Sequence, residues 1–325
     1  LACCATPALA QVVEPADDAS ATDLDTVVVT ATKRVENIRD VAASISVIGL
    51  FNIGGEGQAQ LGGLGVALAV LFIPWPHWTL ALLGASIGAA LFGAAWAAIP
   101  AYLQAKRGSH IVITTIMFNY IAASLMIFML VDVLRPPGKM DPATANFPPE
   151  AHLPRFNEIP GVNLIFESKV PANVTFFIAL AAAVVVWLIL WRTRLGYQIR
   201  AFGKSESAAR YAGINPTRII MIAMLISGGL AGLMAINNVM GEAERLLGNS
   251  ASGAGFIGIA VALMGRNHPV GVVLAALLFG FLFQGGAELG LWTKIPIELR
   301  TVVQGLVILF TGALDMMVRM LLTRI

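Results

Sequence analysis

Long apolar segments with very few charges dominate the sequence after residue 48. We identify eight of them, with the bounds Ala59–Ile73, Thr79–Ile99, His110–Leu134, Val174–Trp191, Ile219–Met240, Gly255–Met264, Val270–Gly285 and Leu299–Met317. A hydrocarbon core of about 30 Å requires roughly 20 apolar residues in a helix, so most of these segments can cross a bilayer. The pattern predicts an all-α polytopic membrane protein with a bundle of about six to eight transmembrane helices.

Gly255–Met264 is the shortest of these segments. As a helix it would be about 15 Å long, which is half of the hydrocarbon core. We therefore expect a broken or re-entrant element that lies within the protein and lines a pathway.

The charges between the apolar segments predict how the helices are oriented. Residues 192–218 carry six basic and one acidic residue, whereas residues 135–172 carry four of each and eight prolines. Since cytoplasmic loops are enriched in Lys and Arg, the first loop is predicted to be cytoplasmic and the second to face outward. The same alternation places Lys106, Arg107 and the 265–269 turn inside without conflict.

The composition agrees with a membrane protein and excludes several kinds of function. The chain is 57% hydrophobic and 12% charged, and its mean hydropathy is +0.78. A net charge of +2 without a long basic run gives no reason to expect a nucleic-acid partner. The only cysteines are Cys3 and Cys4, and the four histidines are scattered, so no metal site is predicted.

No segment has the sequence features of an enzyme. No stretch brings a nucleophile, a base and an orienting group together, and the phosphate-binding motif of ATPases is missing. We therefore predict no catalytic residues and no cofactor, and we expect any ATP hydrolysis to belong to a partner subunit.

Residues 1–48 differ from the rest of the chain. They contain seven acidic and three basic residues and no long apolar run. Ala8 and Ala10 occupy positions typical of a signal-peptide cleavage site, and a β-rich run follows at Asp25–Thr30. This order resembles the beginning of a TonB-dependent outer-membrane receptor; the alternative is an ordinary disordered extension. We predict a separate N-terminal segment at 1–48, disordered or a chimeric fusion, and a membrane domain at 49–325.

The first stretch whose residues suggest a function is Phe51–Gln58. It begins an apolar helix with three glycines, two amides and a carboxylate. A helix N-terminus at membrane depth presents unpaired N–H groups that can hold a polar group of a substrate. Glu56 is expected to compensate the helix dipole. The alternative is a helix start at the aqueous interface that is capped by its own polar side chains.

Further amides and hydroxyls occur inside the apolar segments. Thr115 and Asn119 are four residues apart and share a helix face, where a buried amide requires a wet or protein interior. Hydrogen bonds between helices are the alternative explanation. The candidate substrate pathway comprises Asn52, Glu56, Gln58, Thr115, Asn119 and Asn237.

The second stretch is Arg200–Ile214 in the basic loop. It predicts a helix of about eight residues that Ser205 caps and Gly213 ends, with a small-residue face suited to close docking. The candidate coupling residues are Arg200, Gly203, Ala208, Ala209, Arg210 and Gly213, with Ala212 on the same face. The alternative is a basic helix that lies on anionic lipid.

The third stretch, Gly253–Gly271, ends in a tight Gly/Pro turn that contains His268. His268 could act as a ligand or a proton carrier. A single histidine beside a proline in a short turn is more typical of an ordinary polar loop residue, and we favour that interpretation.

In this order and at these separations, the three stretches resemble the permeases of the simple-sugar, nucleoside and branched-chain amino acid ABC importer family. The Thr115–Tyr120 helix matches as well, and Phe51–Gln58 is most similar to the nucleoside branch. The resemblance covers the chain from about Gly49 to its end. Family members have apolar helices before the Phe51–Gln58 motif, where this sequence has the receptor-like segment, so the permease domain is expected to lack the first helices.

The resemblance implies a function and a set of partners. Such permeases lie in the bacterial inner membrane and assemble in pairs, as homodimers or heterodimers. Each binds a cytoplasmic ATPase through the basic loop and receives its substrate from an extracytoplasmic binding protein. The implied substrate is a small polar solute, a nucleoside first and a simple sugar second.

Three alternatives remain at this point. An outer-membrane receptor would require alternating strands of about ten residues, and a non-functional chimera would have no complete pathway. An ion-coupled carrier would require ionisable residues at membrane depth, whereas Glu56, Asp132, Glu288 and Asp315 all lie near segment ends.

Overall fold

The computed structural model describes residues 52–158 and 172–292, together with 302, 303, 305–307 and 310. The interpretation of residues 1–48 and most of the segment Leu299–Met317 lie outside these residues. The helices in the described part are α1 (Gly55–Phe72), α2 (Trp78–Arg107), α3 (Ile111–Phe128), α4 (Thr175–Arg192), α5 (Arg194–Lys204), α6 (Glu206–Tyr211), α7 (Pro216–Ile236), α8 (Ala254–Met264) and α9 (Pro269–Trp292).

The all-α prediction is confirmed. Among the described residues, five helices are long and apolar enough to cross a membrane: Trp78–Arg107, Ile111–Val133, Thr175–Arg192, Pro216–Glu242 and Pro269–Gly286. The predicted half-length element is α8, which has 11 residues. The chain is therefore a multi-pass membrane protein that also contains a half-length apolar helix.

Helix α1 lies at the centre of the bundle, because its glycines let neighbouring helices approach closely. A β-carbon on Gly62 would lie 2.4 Å from the Cα of Gly232 in α7, and one on Gly65 would lie 2.3 Å from the carbonyl oxygen of Gly88 in α2. Small residues of this kind are typical of helix contacts in membranes. Thirteen of the 18 residues of α1 are buried.

Helices α3 and α7 both end in a π-helical turn, at Met129–Val133 and at Asn237–Glu242. The segments that follow them pack together at this end of the bundle. The Thr144 backbone N–H donates to the Leu246 carbonyl over 3.1 Å, and the Leu246 N–H donates to Thr144 Oγ1 over 3.0 Å. Phe147 and Leu153 are buried beneath these contacts.

Helix α4 lies at the edge of this core, against which its Ile178 packs. It has the same length as α1, and none of its 18 residues is buried. It continues through a sharp turn into α5, where a β-carbon on Gly196 would lie 2.1 Å from the Ile189 carbonyl oxygen. Only glycine fits at this turn, so the turn fixes the direction in which the basic loop leaves the membrane.

Candidate functional site

A group of hydrogen-bonded amides and hydroxyls lies where α1 begins. We call Asn52, Gln58, Thr115, Asn119 and Ser227 the amide cluster. Asn52 Nδ2 donates to Gln58 Oε1 over 2.8 Å, and Gln58 Nε2 donates back to Asn52 Oδ1 over 3.1 Å. Asn52 Nδ2 also donates to Ser227 Oγ on α7 over 2.8 Å. The cluster thus joins α1 to α7 through side chains that carry both donors and acceptors.

Asn119 ties the same region to α3. Its Oδ1 accepts the Gly57 backbone N–H over 2.9 Å, and its Nδ2 donates to the Ile53 carbonyl over 2.9 Å. It therefore satisfies one of the N–H groups that the start of a helix leaves unpaired. Thr115 is fully buried and donates to the Ile111 carbonyl of its own helix over 2.8 Å.

Helix geometry places the amide cluster deep in the membrane. At 1.5 Å per residue, Asn119 lies roughly 12 Å along α3 from Ile111, and Ser227 lies roughly 17 Å along α7 from Pro216. Both distances correspond to the middle of a hydrocarbon core of about 30 Å. Unpaired polar groups at this depth are unfavourable, which explains why the cluster is densely hydrogen-bonded.

The Glu56 carboxylate connects α1 to α8. Its Oε1 accepts the Gly253 backbone N–H over 2.8 Å, and its Oε2 accepts the Gly255 N–H over 2.9 Å. The side chain is only 7% exposed. The carboxylate thus caps the N-terminus of α8, where the helix dipole favours a negative charge. We expected Glu56 to compensate the dipole of its own helix; the contacts that the structure shows are with the start of a helix about 200 residues away in sequence.

The structure does not bring Asn237 to the amide cluster. Asn237 lies at the far end of α7, where its Oδ1 accepts from Asn173 Nδ2 over 3.1 Å and from Thr175 Oγ1 over 2.9 Å. Its Nδ2 donates to Glu242 Oε1 over 2.9 Å. Asn237 therefore joins α7 to the start of α4 at a different depth of the bundle.

Sequence reasoning missed several polar groups near this region. Ser227 was not identified, because a lone serine in an apolar segment gives no signal. The N–H groups of Gly253 and Gly255 were missed as partners of Glu56, because no spacing rule links positions that far apart. Gln60 Oε1 and Ser250 Oγ are also buried, and neither has a hydrogen-bond partner among the described residues.

The basic loop contains the short helix that was predicted between Ser205 and Gly213, although it is shorter than the eight residues expected. Ser205 Oγ accepts the Ala208 N–H over 3.2 Å, and Gly213 has a left-handed φ of +77°. The helix α6 has six residues, and Gly203 lies in the last turn of α5. The expectation that Ala209 lies on the exposed small-residue face is wrong, since Ala209 is only 3% exposed.

Ala209 is buried because the loop has a small apolar core of its own. It packs with Phe202, Ile214 and Ile219, which hold α6 against α5 and the start of α7. The exposed face of α6 carries Ala208 and the residue that follows the helix, Ala212. Ala209 lies on the opposite, buried side of α6 and packs it against the loop's apolar core.

The charged residues of the loop have different partners. Arg210 donates through Nε to Glu206 Oε1 over 3.2 Å along α6. The Arg200 guanidinium lies over the Trp191 ring, 5.7 Å from its centroid. His268 packs its ring against the same Trp191 with 5.1 Å between centroids. Within the described residues, no group of His, Cys, Asp and Glu has the arrangement of a metal site.

Comparison with known proteins identifies relatives over most of the chain. Residues 41–312 match the family described as the permease component of branched-chain amino acid transport systems. A glucose ABC transporter permease of Haloferax volcanii is 34% identical over 271 residues, which cover 81% of this chain and 69% of that protein. A guanosine ABC transporter permease of Bacillus subtilis is 36% identical, covering 82% of this chain and 74% of its own length.

A nucleoside ABC transporter permease of Lactococcus lactis is also 36% identical, and the match covers 81% of this chain and 72% of that protein. No solved structure matches the chain significantly.

Proposed function

We propose that this chain, which belongs to the family of permease components of branched-chain amino acid transport systems, is a membrane-spanning subunit of an ABC importer for nucleosides. The similarity to a guanosine and a nucleoside permease, both at 36% identity, is the observation that carries the choice of substrate. A simple sugar is the second candidate, because a glucose permease is 34% identical.

The amide cluster suits a polar, ring-shaped solute. Carboxamides offer two donors and two acceptor lone pairs each, which a nucleobase edge and ribose hydroxyls can use. Asn52 and Gln58 donate hydrogen bonds to each other. A solute would therefore exchange existing hydrogen bonds for new ones of similar strength, which gives weak binding and allows release. We include Asn52, Gln58, Thr115 and Asn119 in the proposed pathway.

Glu56 and Asn237 have narrower proposed roles. Both oxygens of Glu56 are occupied by backbone N–H groups, so we propose that it positions α8 beside the pathway. Asn237 lies roughly 15 Å further along α7 than Ser227, so we propose that it borders the outward opening.

The proposed partners follow from the family and from the exposed part of the basic loop. The family consists of permease components of transport systems, so we propose that a cytoplasmic ATPase subunit supplies the energy. We propose that it docks on α6 and Ala212. A second permease subunit, identical or related, and an extracytoplasmic binding protein complete the importer in the bacterial inner membrane.

Transport by the reconstituted complex tests this proposal. Proteoliposomes that contain the permease pair, the ATPase and the binding protein are supplied with ATP and labelled guanosine, glucose or leucine. We expect ATP-dependent uptake of guanosine that unlabelled nucleosides inhibit and glucose does not. Uptake of glucose alone would support the sugar alternative, and uptake of leucine alone would contradict both.

A separate proposal concerns the segment that precedes the bundle. The family match begins at residue 41 and so includes the last eight residues of the segment 1–48. We propose that residues 1–40 add nothing to the bundle and that their likeness to a receptor N-terminus reflects a fusion. Deletion of residues 1–40 should leave the helix content and the thermal unfolding midpoint in detergent unchanged. A clear drop in either would show that the segment is integral.

A further inference from the structure

The junction between α4 and α5 forms a basic groove beside α6, the helix on which we propose that the ATPase docks. It has a volume of about 560 Å³, and the residues that line it include Trp191, Arg192, Arg194, Tyr197, Gln198 and Arg200. The three arginines and Tyr197 are exposed. Among the described residues, none of these three guanidinium groups forms an ion pair with a carboxylate, in contrast to Arg210.

Aromatic rings hold two of these arginines in place. The Arg192 guanidinium lies 5.4 Å from the centroid of the Trp187 ring, and that of Arg200 lies 5.7 Å from the centroid of Trp191. Trp191 is fixed in turn by the edge-on contact with His268 from the α8–α9 turn. The two guanidinium groups are therefore preorganised. Binding of an anion then costs less side-chain conformational entropy than it would with freely moving arginines.

The position of the groove in the membrane limits which anion it can meet. None of the 18 residues of α4 is buried, and its exposed residues, among them Val184, Val185 and Leu188, form a side that faces lipid. Trp187 and Trp191 occupy the last turns, where tryptophans of membrane helices lie at the headgroup level. The arginines begin directly after them, on the side that the basic loop marks as cytoplasmic. Anionic lipids are concentrated in that leaflet.

We propose that this groove binds the phosphate headgroup of an anionic phospholipid. Arg194 and Arg200 bind the phosphate, Tyr197 contributes a hydroxyl, and the acyl chains lie along the exposed side of α4. Arginine suits this role because its planar guanidinium donates two parallel hydrogen bonds to phosphate oxygens. Ile214, which lies shortly after α6 in the chain, lines the same groove, so the bound lipid would also fix the height of α6 above the membrane.

Retention of lipid by the purified full-length chain tests the proposal. The protein in detergent is incubated with equimolar phosphatidylglycerol and phosphatidylcholine, and bound lipid is counted by native mass spectrometry. We expect phosphatidylglycerol to be preferred. Each guanidinium near the surface contributes about a fivefold gain in affinity, so Arg194→Gln with Arg200→Gln should lower its retention by more than tenfold. Arg218→Gln is the matched control, because Arg218 is exposed in the same loop but does not line the groove.

Three outcomes would overturn the proposal. Equal retention by the double variant and the Arg218→Gln control would show that the groove is not the lipid site. Displacement of phosphatidylglycerol by an excess of inorganic phosphate would show that the groove takes soluble phosphate groups. Loss of ATPase binding in the double variant with unchanged lipid retention would assign the arginines to the ATPase.

Discussion

Helices α1 and α4 have the same length of 18 residues and opposite environments. Helix α4 has a mean hydropathy of 2.2, and none of its residues is buried. The first two turns of helix α1 contain the polar residues Glu56, Gln58 and Gln60, and 13 of its 18 residues are buried. The more apolar of the two helices is therefore on the outside of the bundle.

The comparison shows what organises a bundle in lipid. Apolar side chains gain little by leaving lipid for a protein interior, so hydrophobicity does not draw α4 inward. Polar groups and glycines are placed inside instead. Polar groups require hydrogen-bond partners that lipid lacks, and glycines allow backbones to pack at short distances. Helix α1 has both, and this combination places the amide cluster in the centre of the protein.

The largest effect is expected from a change in the close packing of α1. Gly62→Ala would put a β-carbon 2.4 Å from the Cα of Gly232, and backbone atoms cannot move aside as a flexible side chain can. We expect a loss of about 3 kcal/mol or more in unfolding free energy, measured by thermal and denaturant unfolding in detergent. Ala181→Leu on α4 is the control, because Ala181 is exposed. Equal losses in both helices would refute the contrast between them.

A smaller effect is expected at Glu56. Glu56→Gln keeps one acceptor oxygen but loses the second oxygen and the charge, so either the Gly253 or the Gly255 N–H becomes unpaired. A buried group left without its partner costs about 1–3 kcal/mol. The same unfolding measurement applies, with the exposed Glu150→Gln as control. If Glu56→Gln were as stable as the control, the carboxylate would not be needed to hold α8.

The sequence allowed much of this fold to be predicted, because long apolar segments and glycines are local signals. The half-length α8 and the Ser205 cap could be found from length and residue type alone. The bond between Glu56 and Gly253 could not, because it depends on how two distant helices meet. The burial of Ala209 was missed for the same reason. Small residues at helical spacing indicate a close contact but do not say whether the partner is another protein or Phe202 of the same chain.

The smallest effect on stability is expected on the exposed side of α6. Ala208→Trp adds a large side chain to an open surface, so the unfolding free energy should change by no more than about 0.5 kcal/mol. ATPase binding in a pull-down assay should nevertheless be lost. Ala209→Trp should behave differently and destabilise the loop, because the ring cannot fit between Phe202 and Ile219. Normal ATPase binding by Ala208→Trp would remove α6 from the docking surface.

The accessibility of Ser227 tests most directly whether the amide cluster lies on the transport pathway. In a chain with Cys3→Ser and Cys4→Ser, Ser227→Cys and the exposed α4 variant Val184→Cys are treated with a water-soluble thiol reagent in the reconstituted importer. The pathway hypothesis predicts that the cysteine at 227 reacts, that guanosine slows its reaction, and that the lipid-facing cysteine at 184 stays unmodified. A cysteine at 227 that reacts no faster than the one at 184 would contradict it.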